Sequence, residues 1–363
     1  MKIGIGDRGL GIRHLIRGLL ATMLMSIAPM QARTQISDAA RIRSAFLKLI
    51  DRPRVPLEAE TRPRPDSGFY AAERFSFASE AGERVPGIFL KASSAKDRRP
   101  VVIFLHGTGA KKEDQLALMR TLADRGLAIA AIDARHHGER IKTGAHLEQY
   151  FEAMVQTYRT GQGRPYLYDT VWDVMRLIDY LQTRADVDPQ RIGVMGISKG
   201  GTEAYLAAAA DSRISVVVPI IGVQSFRWSL DHDQWRARVN TFWPPAQAAA
   251  RGEGIADIDA AFVRRFYDRV VPGIYSDLDA PSVLQMIAPR PLLVINSDSD
   301  PRTPLPGVQA SVAAAQSAYA AMGAGDKIGF YLQPNAGHVF TPVAELVMAD
   351  WFIKWLAPSP LER

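Results

Sequence analysis

The sequence of 363 residues contains no cysteine, which excludes disulfide bonds, thiolate metal sites and a cysteine nucleophile. It also lacks a strong charge imbalance, because 44 Lys and Arg residues stand against 38 Asp and Glu residues. No basic stripe or basic patch interleaved with aromatics is present, so nucleic-acid binding is not expected. The composition, 47% hydrophobic and 23% charged, is that of a globular protein with a large core.

Long apolar runs are scarce, and the clearest one lies near the N-terminus. A basic region ends at Arg17, an apolar stretch follows from Gly18 to Ala28, and small residues come next. The stretch is shorter than the roughly 20 apolar residues that span a bilayer. This order is typical of a secretory signal peptide. We therefore predict that residues 1–32 are a signal peptide cleaved after Ala32, and that the protein is periplasmic or secreted; an uncleaved anchor or a misassigned start is the alternative.

Apolar strand-like runs alternate with helical patterns from residue 101 onward, which predicts a mostly parallel sheet flanked by helices. Residues 33–66 form a Pro-rich extension with one helix at 39–50, and 69–91 are expected to form two or three strands with a turn at 80–83. Asp169 is predicted as the N-cap of a helix that reaches residue 183. Predicted strands are 101–105, 127–133, 191–196, 215–221, 291–296 and 328–332; further predicted helices are 112–124, 202–210, 308–322 and 342–356.

The segment Gly196-Ile197-Ser198-Lys199-Gly200-Gly201 directly follows one of these strands and precedes an Ala-rich helix. A G-x-S-x-G sequence in that context indicates a nucleophile elbow, in which a tight turn exposes the serine hydroxyl. The small residues allow the close backbone approach that such a turn needs. Ser198 is therefore the candidate nucleophile.

A serine nucleophile needs a base within hydrogen-bond reach and an acid that orients the base. Asp300 follows the strand at 291–296 in a Pro-rich turn, and its spacing to Pro304 favours it as the acid; Asp298 is the alternative. The candidate base is His338, in the loop between the last strand and the last helix. The chain order serine, acid, histidine fits such a triad.

Two backbone N–H groups are expected to stabilise the oxyanion, one from Lys199 and one from Thr108 in the segment His106-Gly107-Thr108-Gly109. His106 is expected to hold that loop, and the Lys199 side chain is expected to be a solvated residue at a helix start. The segment 133–140, with His136 and His137, resembles a metal site, but adjacent histidines diverge in an extended chain. The same holds for 231–233, so no metal site is predicted.

Residues 222–289 interrupt the strand–helix alternation with a connection far longer than usual. We predict a helical cap inserted over the catalytic face, with Trp228 and Trp235 lining the substrate pocket. The alternative is that its aromatics pack against their own scaffold as additional core. The remaining domain then comprises residues 67–221 and 290–363. The aromatics are Phe226, Trp228, Trp235, Phe242, Trp243, Phe262, Phe266, Tyr267 and Tyr275.

Over residues 85–357 the chain resembles the serine α/β-hydrolases, in particular their dienelactone-hydrolase-like and acetyl-esterase-like branch, related to the catalytic fold of prolyl oligopeptidases without the propeller. The resemblance rests on the motifs at 106–107, 133–139, 196–201, 300–301 and 337–338. It implies an α/β-hydrolase fold, a Ser/Asp/His triad and hydrolysis of carboxylic esters. The aromatic cap predicted above would shape an apolar pocket that favours small or medium acyl or aryl esters, and no cofactor is expected. Dienelactone hydrolases carry Cys where this chain has Ser198. A peptidase or amidase with the same triad and a non-catalytic binding protein of the same fold are the alternatives.

Overall fold

The computed structural model describes residues 38–65, 68–144 and 147–357, and the structural statements below refer to these ranges. The signal peptide predicted for residues 1–32 lies outside them. No helix within these ranges has both the length and the apolar character needed to cross a membrane.

The secondary structure alternates as the sequence predicts from residue 99 onward. The strands are β1 (Glu60–Arg64), β2 (Tyr70–Glu80), β3 (Glu83–Ala92), β4 (Arg99–Leu105), β5 (Ala128–Ile132), β6 (Val187–Ile197), β7 (Ile214–Ile220), β8 (Leu292–Ser297) and β9 (Ile328–Gln333). The helices are α1 (residues 38–50), α2 (Leu116–Asp124), α3 (Glu148–Thr160), α4 (Tyr168–Thr183), α5 (Lys199–Ala210), α6 (Phe226–Asp231), α7 (Arg236–Val239), α8 (Trp243–Gly252), α9 (Ala260–Val270), α10 (Ala280–Gln285), α11 (Leu305–Ala321) and α12 (Pro342–Leu356).

The described strands form one nine-stranded sheet in the order β1-β2-β3-β5-β4-β6-β7-β8-β9. The first three strands pair antiparallel, and β3 pairs antiparallel with β5. All pairs from β5 to β9 are parallel. Parallel neighbours need crossover connections, which the helices supply. The prediction of a mostly parallel sheet flanked by helices is confirmed.

The sheet is buried on both faces, as parallel sheets usually are. In β4, Val101, Ile103 and Leu105 join a core cluster with α1, α3, α4, α5 and α11, whereas Val102 and Phe104 face α2 and α12. The alternation follows from the period of two residues in a strand. Helices therefore cover both faces, and the ends of the strands remain available for a site.

Three local features differ from the predictions. Strand β1 lies inside the Pro-rich extension, where it pairs at the edge of the sheet, and α3 was not predicted. Asp169 is not the N-cap of α4, because Leu167 occupies that position and Asp169 lies in the first turn. Its carboxylate instead accepts hydrogen bonds from the Arg52 side chain and the Arg164 N–H. Asp169 thus pairs with a half-buried cation and does not cap the helix.

Residues 222–289 contain α6 to α10, as the helical pattern predicts. Helices α8 and α9 pack on α3, and α10 packs on α5 and α11. Six of the nine aromatics of the segment are buried in the core, while its three tryptophans are only partly buried. The segment therefore supplies core packing, as the alternative interpretation proposed. Its role as a cap stays a prediction.

Backbone segments approach one another unusually closely around the β6–α5 turn. A Cβ atom placed on Gly200 would lie 2.1 Å from the carbonyl oxygen of Leu105, and one on Gly196 would lie 2.2 Å from the carbonyl oxygen of Gly200. A Cβ on Gly201 would lie 2.7 Å from the carbonyl oxygen of Ile220. These contacts are with backbone atoms, which cannot rotate away, so only glycine fits at these positions.

We expect Gly200→Ala to lower the free energy of unfolding by about 2 kcal/mol or more, because the methyl group overpacks the fixed backbone at the end of β4. Gly325→Ala is the matched control, since a Cβ there meets no atom within 4 Å and φ is not positive. Urea unfolding followed by circular dichroism measures both. Equal stability of the two variants would contradict the packing argument.

Candidate active site

Ser198 lies between the end of β6 and the start of α5, in a strained backbone conformation with φ 57° and ψ −112°. Positive φ is rare for a residue with a side chain and is found at functional sites that the surrounding structure holds in place. Here the Ser198 N–H donates to the carbonyl oxygen of Ile220 at 2.8 Å, which ties the turn to β7. The turn thus presents the hydroxyl at the carboxyl edge of the sheet.

His338 lies in the loop between β9 and α12 and contacts both other residues of the predicted triad. Its Nε2 atom is 2.7 Å from the Ser198 Oγ, and its Nδ1 atom is 2.7 Å from the Asp300 Oδ2. A carboxylate accepts the Nδ1 proton, so Nε2 is left as the acceptor for the serine hydroxyl. The structure therefore brings Ser198, His338 and Asp300 together in the order that nucleophilic catalysis requires.

Asp300 is held in a fixed orientation in the turn after β8. Its Oδ1 accepts from the Arg302 N–H at 2.8 Å, and its Oδ2 also accepts from the Thr303 hydroxyl at 2.8 Å. Burial alone would raise the pKa of Asp300, but the hydrogen bonds and the charge of His338 hold it below its usual value. Asp300 is therefore a carboxylate at neutral pH, and it can stabilise an imidazolium.

Asp298, the alternative acid, does a different job. It is half-buried and accepts hydrogen bonds from the backbone N–H groups of Asn335, at 2.8 Å, and Ala336, at 3.2 Å. These bonds hold the pKa of Asp298 below its usual value. Asp298 thus fastens the loop that carries His338 and does not contact the imidazole itself.

Burial keeps the pKa of His338 below its usual value of 6.5, against the opposing effect of Asp300. The positive charges of Arg238 and Arg302 lower the pKa further. His338 is therefore neutral near pH 7, which is the state a general base needs.

The loop after β4 lies directly against the elbow. A Cβ atom on Gly107 would lie 3.3 Å from the Ile197 carbonyl oxygen and 3.6 Å from the Ser198 Cβ. Gly107 and Ala110 close a turn in which Gly109 has φ 79°. The Lys199 N–H belongs to the first turn of α5, where N–H groups have no partner within the helix. Thr108 and Lys199 are thus near the hydroxyl, and their role in an oxyanion hole stays a prediction.

The prediction of a solvated Lys199 side chain is wrong. The side chain is 1% exposed, and its Nζ lies 2.7 Å from the Glu203 Oε1, one turn further along α5. The ion pair forms because α5 is enclosed by strands and other helices, where an unpaired ammonium would be costly. Its positive charge contributes to the low pKa of His106 and His137.

His106 holds the loop, as predicted. Its Nε2 accepts from the Ala134 N–H at 3.0 Å, so its proton is on Nδ1, which donates to the Gly107 carbonyl oxygen at 2.8 Å. Burial is the main cause that lowers the pKa of His106 to about 3, so the ring stays neutral.

In the segment 133–140, Asp133 is held by hydrogen bonds within the protein. Asp133 accepts from Lys112 Nζ at 2.6 Å and from the N–H of Glu139 at 3.0 Å. No group of three His, Asp or Glu side chains suited to a metal occurs within residues 38–65, 68–144 and 147–357.

The two tryptophans predicted to line the pocket lie in the 222–289 segment. Trp228 stacks on His232 with ring centroids 4.2 Å apart, and it packs beside Gly307 at the start of α11. The Trp235 Nε1 donates to Asp233 at 3.1 Å, and Arg236 lies over the Trp235 ring. Their role in substrate binding stays a prediction. Arg238, whose charge acts on His338, was not predicted from the sequence. The reason is that an Arg in a short helix is usually a solvated residue.

The sheet order, the elbow and the Ser–His–Asp arrangement define a serine hydrolase with an α/β-hydrolase fold. The profile of the family described as "Glucuronyl esterase, fungi" matches residues 89–323, about two thirds of the chain. The chain belongs to this family, and it is a carboxylesterase. This confirms the predicted esterase branch and the predicted ester hydrolysis.

Individual relatives agree with this assignment. The Bacillus subtilis protein named "Putative hydrolase YtaP" is 26% identical over 88% of this chain and 99% of its own length. The 4-O-methyl-glucuronoyl methylesterase of Neurospora crassa is 26% identical over 53% of this chain and 49% of its own length.

Solved structures show the same fold. Acetyl xylan esterase 1 from Thermoanaerobacterium sp. JW/SL YS485 superposes with a TM-score of 0.64, at 18% identity, over 88% of this chain and 94% of that one. The glucuronoyl esterase from Solibacter usitatus superposes with a TM-score of 0.58, at 15% identity, over 87% and 92%.

The state of His338 predicts the acid limb of the pH profile. With His338 as the predicted general base, ester hydrolysis requires the neutral imidazole, so kcat/KM should rise with pH and reach half its plateau below pH 6.5, the usual histidine value. The measurement is kcat/KM for p-nitrophenyl acetate from pH 4.5 to 8.5, corrected for spontaneous hydrolysis. A half-maximal value at pH 7 or above would contradict the assignment of the pKa.

Proposed function

We propose that Ser198 is the nucleophile of a two-step esterase reaction and that it forms an acyl-enzyme. The observation that carries this proposal is the continuous chain of hydrogen bonds from Ser198 through His338 to Asp300. As Ser198 Oγ bonds to the ester carbonyl carbon, His338 Nε2 takes the hydroxyl proton. Asp300 holds the resulting imidazolium in place and stabilises its charge.

The first step ends when the bond to the alcohol oxygen breaks and His338 returns the proton to that oxygen. Water then attacks the acyl carbon, and His338 accepts a proton from it. The bond between the acyl carbon and Ser198 Oγ breaks, His338 returns the proton to Oγ, and the free acid leaves. The backbone N–H groups of Thr108 and Lys199 stabilise the oxyanion of both tetrahedral intermediates. The position of Gly107 against the elbow supports this role.

We further propose that the substrates are small or medium acyl or aryl esters. Two of the similar proteins are named 4-O-methyl-glucuronoyl methylesterase and acetyl xylan esterase, and these names refer to methyl and acetyl ester groups, which are small. In the same proposal, residues 222–289 form a helical cap beside the site. The charge of Arg238 in α7 lowers the pKa of His338, which supports this placement. The second domain segment, residues 290–363, supplies Asp300 and His338.

The contrast between the two aspartates tests the catalytic assignment. Asp300→Asn should lower kcat for p-nitrophenyl butyrate by about 10⁴, because the amide no longer stabilises the imidazolium. Asp298→Asn is the matched control and should retain activity within about tenfold, since it changes only the loop fastening. Ser198→Ala should abolish both turnover and labelling by a fluorophosphonate probe.

Activity is measured on acetate, butyrate and octanoate esters after thermal melts show that each variant is folded. A greater loss in Asp298→Asn than in Asp300→Asn would assign the acid to Asp298. Labelling of Ser198→Ala would refute the nucleophile. The order of kcat/KM along the series tests the preference for short chains.

We also propose that residues 1–32 are removed on export and that the mature enzyme is periplasmic or secreted. The basic region before an apolar stretch shorter than a membrane span supports this proposal. Expression of the full chain in a bacterium, followed by mass spectrometry of its N-terminal peptide, should give a mature protein that starts at Arg33. An intact N-terminus on cytoplasmic protein would contradict export.

A further inference from the structure

Arg238 differs from every other buried cation within the described ranges. It is 4% exposed, and four other cations are buried to a similar degree: Lys112, Arg140, Arg176 and Lys199. Each of those four has a carboxylate partner, for example Asp133 or Glu203 at 2.6 to 2.7 Å. Within residues 38–65, 68–144 and 147–357, Arg238 forms no ion pair, and its Nε and Nη2 have no hydrogen-bond partner in the protein. A guanidinium in this position lacks its counter-charge.

The physical cost of such a charge is high. Removing a cation from water is expensive unless an anion compensates for it, and water that hydrates the group does not cancel the charge. The other buried cations in this protein follow that rule. An anion from outside the chain would complete the environment of Arg238.

The two unpaired atoms specify the kind of anion. Nε and Nη2 lie on the same edge of the planar guanidinium, and their N–H bonds run parallel. That edge matches the two oxygens of a carboxylate, which it binds through a pair of parallel hydrogen bonds. A carboxylate therefore satisfies both atoms at once.

Arg238 also lies near the proposed catalytic histidine. Its charge is close enough to His338 to lower the pKa of the catalytic imidazole. Next to α7, Phe242 packs on Tyr166 with centroids 4.5 Å apart and on Tyr150 at 6.3 Å. The charge of Arg238 also acts on Tyr166 and Tyr267.

Phenol groups add further donors in the same region. The hydroxyl groups of Tyr150 and Tyr267 are buried without a hydrogen-bond partner in the protein. Burial raises the pKa of both well above the usual value, so both keep their protons and can donate. On α5, the charge of Glu203 acts on Tyr150 and Tyr166. Lys199 neutralises this charge through the ion pair described above. The region thus offers a cation and neutral donors to an anion.

We propose that Arg238 binds a free carboxylate of the ester substrate and so makes the enzyme selective for esters that carry a second, unesterified acid group. This inference rests on the proposed function of Ser198 as the nucleophile. The carboxylate belongs either to the acyl part or to the alcohol part of the ester. Both sources present the same chemistry to the guanidinium, and the experiment separates them.

The test compares charged and neutral esters of matched size. For the acyl part, the pair is p-nitrophenyl hemiglutarate and p-nitrophenyl pentanoate; for the alcohol part, it is 3-acetoxybenzoate and its methyl ester. In Arg238→Met, kcat/KM for the charged member of one pair should fall roughly ten- to a hundredfold more than for its neutral member, because charge-assisted hydrogen bonds are lost. The pair that shows this effect identifies the source of the carboxylate.

Two variants control for charge and geometry. Arg236→Met removes an exposed cation from the same helix and should leave the ratio between charged and neutral esters unchanged within about twofold. Arg238→Lys keeps a positive charge but not the paired N–H edge, so its ratio should lie between those of the wild type and Arg238→Met. An equal loss on both members of both pairs, or no loss, would overturn the proposal.

A binding measurement separates this inference from the proposed function. Calorimetric titration of Ser198→Ala with glutarate should show saturable binding that weakens at least tenfold when Arg238→Lys is added. This holds even if the wild type hydrolyses no ester or if Arg238→Met does not fold. Binding that is absent, or that is the same in both proteins, would overturn the carboxylate site. Loss of fluorophosphonate labelling and of all turnover in the wild type would instead refute the role of Ser198.

Discussion

The close approach of four backbone segments at the β6–α5 turn is the constraint on which the site depends. Gly196, Gly200 and Gly201 leave no room for a side chain because strand and helix backbone meet there at van der Waals distance. Gly222 adds the start of the next segment, since a Cβ there would lie 2.6 Å from the Ser198 carbonyl oxygen. This packing holds Ser198 at positive φ at the start of α5, whose first N–H groups have no partner within the helix. The backbone strain is confined to the turn at Ser198, and the packing of the buried strands around the turn offsets its energetic cost.

The rest of the triad arrives through the parallel sheet. Because neighbouring parallel strands end at the same edge of the sheet, the loops after β6, β8 and β9 all lie at that edge. The loops after β8 and β9 are then fastened to each other by Asp298, which binds backbone N–H groups of Asn335 and Ala336. Asp300, two residues later, is free to face His338. Two carboxylates in one turn thus separate positioning of the loop from orientation of the base.

The features that the sequence predicted are those with local signals. The strands that flank Ser198, Asp300 and His338 are apolar runs that end in turn residues, and chain order fixes which of them meet. Lys199 was misjudged because its four-residue spacing to Glu203 is equally common on solvated helices, and only the enclosure of α5 makes that pair buried. Arg238 was missed for the same reason, since burial in a short helix depends on packing against distant elements. Local pattern identifies the chemistry, whereas long-range packing decides the electrostatics around it.

Two cations near Ser198 differ in whether the chain supplies their counter-charge. Lys199 is on the sheet-bound helix α5 and is neutralised by Glu203, so it adds little net charge to the reaction. Arg238 is on the inserted segment and has no such partner in the described chain. Apart from Gly222 at its start, the inserted segment makes none of the close backbone contacts described above for the elbow. A substitution of Arg238 in that segment can therefore change the charge near His338 while the contacts of Gly196, Gly200 and Gly201 that hold Ser198 stay in place.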